Sequence, residues 1–271
     1  MRKTKIVCTL GPATDSEETL RAMLESGLNV ARFNFSHGSH AEHKKRLDLL
    51  VKLRREMGLP VAALLDTKGP EIRLRDFKDG VVQLKEGQEF ILTTQDVLGD
   101  EHICGITYRD LPGDVEVGSA ILLDDGLIRL TVLEIKDGDI RCRVENNGPI
   151  KNHKGVNVPG VRLSMPYLSQ QDKEDILFGA EQDFDFIAAS FARSAADIMD
   201  IRRVLNSVHS SIRIIAKIEN QEGVNNLSEI LSVSDGIMVA RGDMGVEIDF
   251  TEIPIIQKDI IAQCVAAGKP A

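Results

Sequence analysis

No stretch of this sequence approaches the roughly 18 uncharged apolar residues that a membrane-crossing helix needs. No cleavable secretory leader is expected either. The basic start Met1-Arg-Lys-Thr-Lys5 is followed by an apolar run over only 6–10. Cysteine is scarce: Cys8, Cys104, Cys142 and Cys264, with no CxxC pair. That spacing offers neither a disulfide framework nor a zinc motif, and predicts buried, reduced thiols in a cytoplasmic protein. Positive charge is in deficit, with 33 Lys and Arg against 42 Asp and Glu and a net charge of −9. A general nucleic-acid or anionic-membrane binder is thereby disfavoured, which leaves room for a local basic site. Neither phosphate loop, G-x-G-x-x-G or G-x-x-x-x-G-K-[ST], occurs anywhere, which weighs against an open dinucleotide-type or P-loop sheet. Asn34-Phe-Ser36 and Asn226-Leu-Ser228 match the glycosylation sequon and, with no leader expected, are expected to be chance matches.

What is present is an ordinary globular balance over 271 residues, 42% apolar and 28% charged. Short apolar runs alternate with helical periodicity: strands over 5–10, 29–35 and 61–66, and helices over 16–25 and 39–57. Ser16 stands as an N-cap and Gly27 just past the first helix. Strands that are apolar on both faces and alternate with helices indicate a parallel sheet covered by helices. From Thr67-Lys-Gly-Pro70 to about Pro166 the texture changes, and no helical segment is expected there. Strand-like runs over 81–84, 89–94, 120–123, 127–135 and 140–144 are separated by Asp79-Gly80, Asp125-Gly126, Asp137-Gly138 and Asn147-Gly148 turns. The α/β pattern then resumes with helices over 170–182, 195–208, 224–231 and 253–267 and strands over 186–190, 212–219 and 236–240. Without residues 70–166, 174 residues remain, about 29 for each of six strand–helix units. An eight-unit barrel of about 250 residues uses roughly 31 per unit. The expected fold is therefore a (β/α)8 TIM barrel, incomplete at six of eight units. The truncated barrel domain covers 1–69 and 167–271, and an inserted all-β lid domain covers 70–166.

In such a barrel chemistry collects at the C-terminal strand ends, and here those ends are polar. Arg32, Asn34 and Ser36 fall at alternate positions and share one face, with Phe33 and Phe35 turned toward the helices. They could also be a hydrogen-bonded polar plug. Asp66 follows the apolar Ala62-Ala63-Leu64-Leu65; it is either a cap or, beside Asn34 and Ser36, part of a hard-oxygen cation site. Lys217 and Glu219 share a face late in an apolar strand, as a simple ion pair or as partners around a metal. Gly242 allows close backbone approach to a ligand. Asp243 is either an N-capping loop residue or a second carboxylate facing Glu219 across Mg2+. Cations, carboxylates and backbone donors around one mouth are the apparatus of phosphoryl transfer. The inserted segment leaves at that mouth and is placed to exclude water. His37, His40 and His43 recur every three residues; His40 and His43 are expected on an exposed helix face, and His37 could face the site.

The same residues carry a family resemblance. The chain resembles the N-terminal part of a bacterial-type pyruvate kinase through Asn29-Val-Ala-Arg-Phe-Asn-Phe-Ser-His-Gly38, Leu65-Asp-Thr-Lys-Gly-Pro-Glu-Ile-Arg73 and Lys154-Gly-Val-Asn-Val-Pro-Gly160. Ala189-Ser-Phe191, Ile215-Ala-Lys-Ile-Glu-Asn220 and Met238-Val-Ala-Arg-Gly-Asp-Met-Gly-Val-Glu247 continue the match in family order. The resemblance implies phosphoryl transfer from phosphoenolpyruvate to ADP, giving pyruvate and ATP, the last step of glycolysis. It implies that Lys217 stabilises the group in transit, and that Glu219 and Asp243 hold Mg2+ or Mn2+. Asn34, Ser36, Asp66 and Thr67 would hold K+, Thr67 through its carbonyl. Arg32, Lys217, Gly242 and Asp243 would bind substrate, and Asn34, Phe35, Ser36, His37, Arg73 and Lys154 would line the nucleotide path. A homotetramer is implied for a full-length member, with no nucleic-acid or membrane partner.

Family members continue through a seventh strand, with a threonine linked to protonating the enolate, then an eighth strand and a C-terminal domain. On that comparison the 271-residue chain is expected to be an incomplete enzyme with little or no turnover, its end strands exposed to aggregation. Two rivals stand beside it. An Mg-dependent lyase or aldolase acting on a pyruvate enolate would be active without K+ or ADP. A non-catalytic binding or regulatory module derived from the enzyme would fold and bind ligand without turnover.

Overall fold

The computed structural model describes residues 3–271. The chain opens with β1 (Val7–Thr9), α1 (Glu17–Glu25), β2 (Val30–Asn34), α2 (His40–Glu56) and β3 (Ala62–Asp66). After the β-rich segment come α4 (Gln170–Glu181), β13 (Phe186–Ala189), α5 (Ala195–Ser207) and β14 (Arg213–Ile218), counting one helix and nine strands between. Then follow α6 (Gln221–Asn225), α7 (Leu227–Val233), β15 (Gly236–Val239), α8 (Arg241–Glu247) and α9 (Ile253–Ala266). The strands form one six-stranded sheet in the order β1-β2-β3-β13-β14-β15, parallel throughout. β3 pairs with β13 across the whole insertion, Leu65 opposite Ile187 and Asp66 opposite Ala188.

Helix starts follow from serine. The side chains of Ser16, Ser39, Ser169 and Ser194 each accept from a backbone N–H one turn on, and Ser39 and Ser169 complete capping boxes with Glu42 and Asp172. The helices lay Leu20, Leu24, Leu50, Leu53, Ile198, Ile201 and Ile230 on the sheet, in one apolar core with Phe33, Leu65, Ile187 and Ile214. That burial supplies most of the stability of helices this short.

The β-rich segment consists of β4 (Ile72–Arg73), β5 (Val81–Leu84), β6 (Glu89–Thr93), β7 (Ile103–Gly105), α3 (Leu111–Asp114), β8 (Ala120–Leu123), β9 (Ile128–Lys136), β10 (Asp139–Val144), β11 (Gly148–Lys151) and β12 (Gly155–Asn157). Seven of its strands form a sheet in the order β4-β12-β8-β9-β10-β6-β7, and β11 pairs with β5. It has a core of its own around Leu74, Phe90, Leu92, Ile106, Leu130 and Ile140. Asp125-Gly126 and Asp137-Gly138 turn between strands with positive φ at every residue, as tight hairpin turns require.

Four expectations are corrected. The one-turn helix α3 lies where none was expected; Pro112 in its first turn suits a helix start. The helix expected over 224–231 is two, α6 and α7. Asn220 starts the first early by accepting from the Gly223 N–H, and Asn226 at the break donates its side-chain amide to the Arg193 carbonyl. β4, β7, β11 and β12 are too short, two to four residues, to show alternation in sequence. His43 is buried rather than on an exposed face, stacked on Phe35 at 4.1 Å between ring centres. Of the cysteines, Cys104, Cys142 and Cys264 are buried as expected, and Cys8 on the edge strand is half-buried.

Candidate active site at the strand ends

The pleat of β2 sends Phe33 and Phe35 into the helix layer, against Phe184 and His43, and leaves Arg32 and Asn34 on the opposite face. Asn34 stands directly opposite Asp66 of β3. Asp66 is buried yet ionically well supplied. Arg32 Nη2 lies 2.5 Å from its Oδ2, and Lys217 Nζ 3.1 Å from its Oδ1. Lys217 comes from β14 and is itself only 7% exposed. Its ammonium also faces Glu219 Oε1 at 2.9 Å and donates to Ser190 Oγ at 2.8 Å. Ser190, immediately after β13, stands 3.0 Å from Asp66 Oδ1 and 2.7 Å from the Thr67 carbonyl, so its hydroxyl proton can serve either. Four strand ends therefore meet in one cluster of two cations, two carboxylates and a hydroxyl, buried except for Arg32 at its rim.

Burial works against the charge on Lys217, but Glu219 and Asp66 on either side hold its pKa above the ordinary lysine value. The ammonium therefore stays charged at neutral pH. Burial dominates at Glu219 and pushes its pKa up to about 7. The neighbouring Lys217 pulls it down, while the negative charge of Asp243 adds to the rise. Glu219 Oε2 accepts from the Phe191 N–H. Its Oε1 has the Lys217 ammonium as its ion-pair partner and no hydrogen-bond donor besides. Asp243 lies in the first turn of α8, and Gly242 beside it is exposed. Among the described residues no three His, Cys, Asp or Glu side chains form a ready-made metal cluster.

A cleft of about 580 Å3 opens between the strand ends and the β-rich segment. His37, Arg73, Lys154, Asn157, Asp243 and Glu247 are among its walls. Arg73 is steered by Glu71 at 2.5 Å and donates to the His153 carbonyl, and Lys154 pairs with Asp124 at 2.9 Å. Asn157 of β12 donates to Glu247 of α8 at 2.8 Å, tying the β-rich segment to the α/β part. Burial raises the Glu247 pKa against this hydrogen bond.

Most of the residues singled out in sequence fall into two groups; Gly242, exposed on α8, belongs to neither. His37, Arg73, Lys154 and Asp243 line the cleft. Arg32, Asp66, Thr67, Lys217 and Glu219 belong to the buried cluster or its rim, with Asn34 and Ser36 beside it. The Asn34 side-chain oxygen accepts from the Ser36 N–H and fixes that turn. Phe35 differs: its ring is buried in the helix layer, so only its backbone can face the mouth. Ser190 and Phe191 were assigned no role. A serine directly after the apolar strand Phe186–Ala189 is the signal that could have marked the first. Nothing local marks Phe191, whose positive φ of 54° aims its N–H at Glu219.

The family model described as pyruvate kinase, barrel domain, matches residues 1–271. The chain belongs to the pyruvate kinase family. The pyruvate kinase of Staphylococcus haemolyticus strain JCSC1435 is 53% identical over 273 residues, covering 100% of this chain and 47% of its own length. Those of Staphylococcus aureus strains USA300 and NCTC 8325 / PS 47 are 53% identical over 272 residues, 100% of this chain and 46% of theirs. The chain spans about half the length of these curated pyruvate kinases. No described helix is long and apolar enough to cross a membrane.

Proposed function

We propose that the site serves pyruvate kinase chemistry: phosphoryl transfer from phosphoenolpyruvate to ADP, giving pyruvate and ATP, in the cytoplasm. The observation that carries this reading is the Lys217 ammonium, buried at the meeting of these strand ends and held charged between Asp66 and Glu219. In the transfer the P–O bond to the enol oxygen breaks as a bond to the terminal ADP oxygen forms. The enolate left behind takes a proton at carbon. Lys217, charged throughout, offsets the negative charge spread over the phosphoryl oxygens and does not act as a base. Arg32 anchors a phosphate oxygen at the rim, and Gly242 leaves backbone N–H groups open to substrate. Arg73 and Lys154, with the backbone of Asn34, Phe35, Ser36 and His37, form the nucleotide path in the cleft.

Glu219 and Asp243 suit Mg2+ or Mn2+. Glu219 keeps a buried oxygen with only the Lys217 ammonium beside it, and Mg2+ asks for only one or two carboxylates when substrate supplies the other oxygens. The bound ion would polarise substrate oxygens. Asn34, Ser36, Asp66 and the Thr67 carbonyl, at adjacent strand ends, are the hard-oxygen set for K+. In this reading residues 1–69 and 167–271 are part of a (β/α)8 barrel and 70–166 its lid, in an enzyme that works as a homotetramer.

The test is calorimetric titration of phosphoenolpyruvate into this protein with and without Mg2+. Binding is expected only with Mg2+ and should be lost in Glu219→Gln. Equal binding with and without the ion, unaltered in Glu219→Gln and Asp243→Asn, would sink the assignment. In any length of this sequence that turns over, Lys217→Met should lower kcat on the order of 10²- to 10³-fold with substrate affinity little changed.

A further inference from the structure

The chain crosses between its two apolar cores twice, and the crossings are built differently. On the way out, Gly69 is pinned to the α/β part: its N–H donates to Asp172 Oδ1 at 3.0 Å, and three residues later Ile72 is in the β-rich core. On the way back, Leu163 and Met165 pack their side chains against the β-rich core, and Tyr167 and Leu168 are already in the other. Yet the carbonyls of Leu163 and Met165 are held from the opposite side. Arg193, between β13 and α5, donates from Nη1 to the Leu163 carbonyl at 3.1 Å and from Nη2 to that of Met165 at 3.2 Å. The residue between them is gripped by the β-rich segment. Asp114 Oδ2 accepts from the Ser164 N–H at 2.9 Å and from the Tyr108 hydroxyl at 2.7 Å, and that hydroxyl is 2.9 Å from Ser164 Oγ. Over three residues the backbone is thus clasped alternately by both bodies.

The arginine is itself fixed. Its Nε lies 3.3 Å from Asp197 Oδ2, its own N–H donates to the same oxygen, its carbonyl accepts from Asn226, and its guanidinium lies 6.0 Å from the centre of the Tyr167 ring. Both side chains of the ion pair are at most 15% exposed. A planar fork that reaches two carbonyls two residues apart is a geometry only arginine supplies.

We propose that Arg193 is a positioning residue, the bearing against which the β-rich segment turns, and that it sets the angle at which Arg73, Lys154 and Asn157 stand over the mouth. The proposal rests on reading residues 70–166 as a lid. It places the pivot at Leu163–Ser164–Met165 and has Arg193 restrain the lid whether or not nucleotide is bound. Its chemistry is positional only: no bond is made or broken.

The experiment is a spin-label distance measurement without nucleotide. Labels go on Lys45→Cys in α2 and Val117→Cys in the β-rich segment, both exposed, with Cys8 replaced by serine. A narrow distribution is expected in the parent protein. Arg193→Lys keeps the charge beside Asp197 and loses the fork. It should broaden the distribution on the order of twofold, with amide-exchange protection in β9 and β14 unchanged. Tyr108→Phe combined with Asp114→Asn, which releases Ser164 from the other side, should broaden it likewise. If Arg193→Lys fails to fold, the lid-side variant alone decides. A distribution that stays narrow in the folded variants overturns the proposal. Failure of this protein to bind ADP would undo the nucleotide reading and leave the distance result standing.

Discussion

His43 illustrates what one residue does without touching a ligand. Its Nε2 pairs with the His37 carbonyl at 2.9 Å, its Nδ1 is buried without a partner, and its ring stacks on Phe35. The neutral ring with the proton on Nε2 satisfies this arrangement, and so His43 holds the turn that carries Asn34, Ser36 and His37. Burial, with the charge of Arg46 adding to it, lowers its pKa below the ordinary 6.5, against the pull of the His37 carbonyl. The unfolded chain therefore takes up the proton first as pH falls. The stability His43 contributes is complete above pH 6.5 and is lost as pH drops from there through the lower folded value. Thermal melts at pH 7.5 and 5.5 should show a larger fall in Tm for the parent than for His43→Gln; equal falls would exclude the residue. In sequence His43 was legible only as one of three spaced histidines. Its burial depends on Phe35 arriving from β2, a contact between elements. Lys217 and Glu219 were legible as a same-face pair in an apolar strand, but Asp66 and Ser190 as their partners were not, since those come from other strands.

At the scale of elements, apolar runs located most of the longer helices and strands to within a residue or two. The missed short strands are of one kind: β4 and β12 have no alternation to read and are set by pairing, β4 with β12 and β12 also with β8. Gly69 marks where one such decision is enforced. Its φ of +72° is a left-handed conformation, and a Cβ there would sit 2.9 Å from the Ser190 carbonyl. Gly69→Ala should cost about 1–3 kcal/mol in urea unfolding. Because the clash falls on Ser190, it should also disturb the Lys217 cluster. An unchanged midpoint would mean the outgoing crossing can shift without loss.

At the scale of the whole molecule, β1 and β15 stand at the two ends of the parallel sheet. The Pro270 carbonyl reaches the Ile237 N–H of β15 at 3.0 Å, so the edge is partly capped by the chain itself. α9 is apolar around most of its circumference; Ile253, Ile260 and Cys264 face the core, and Ile255 and Val265 are each 72% exposed. Exposed edges and an apolar face of this kind favour association. Sedimentation velocity should show concentration-dependent self-association, reduced in Ile255→Lys/Val265→Lys at unchanged helix content. A protein that stays monomeric at all concentrations would refute this.

The sequence by itself determined the elements that rest on local physics. Strand and helix periods, caps, turns and the switch from α/β to all-β texture each depend on residues a few positions apart. It also determined which polar residues sit at strand ends, because alternation along a strand assigns faces. Only the tertiary structure decided which of them meet. Asp66, Ser190, Lys217 and Glu219 lie up to 153 residues apart, and the ammonium among them is held by the side-by-side register of β3, β13 and β14. The clasp of Arg193 on Leu163 and Met165 is of the same kind: it depends on backbone carbonyls, which every residue has and no sequence pattern marks.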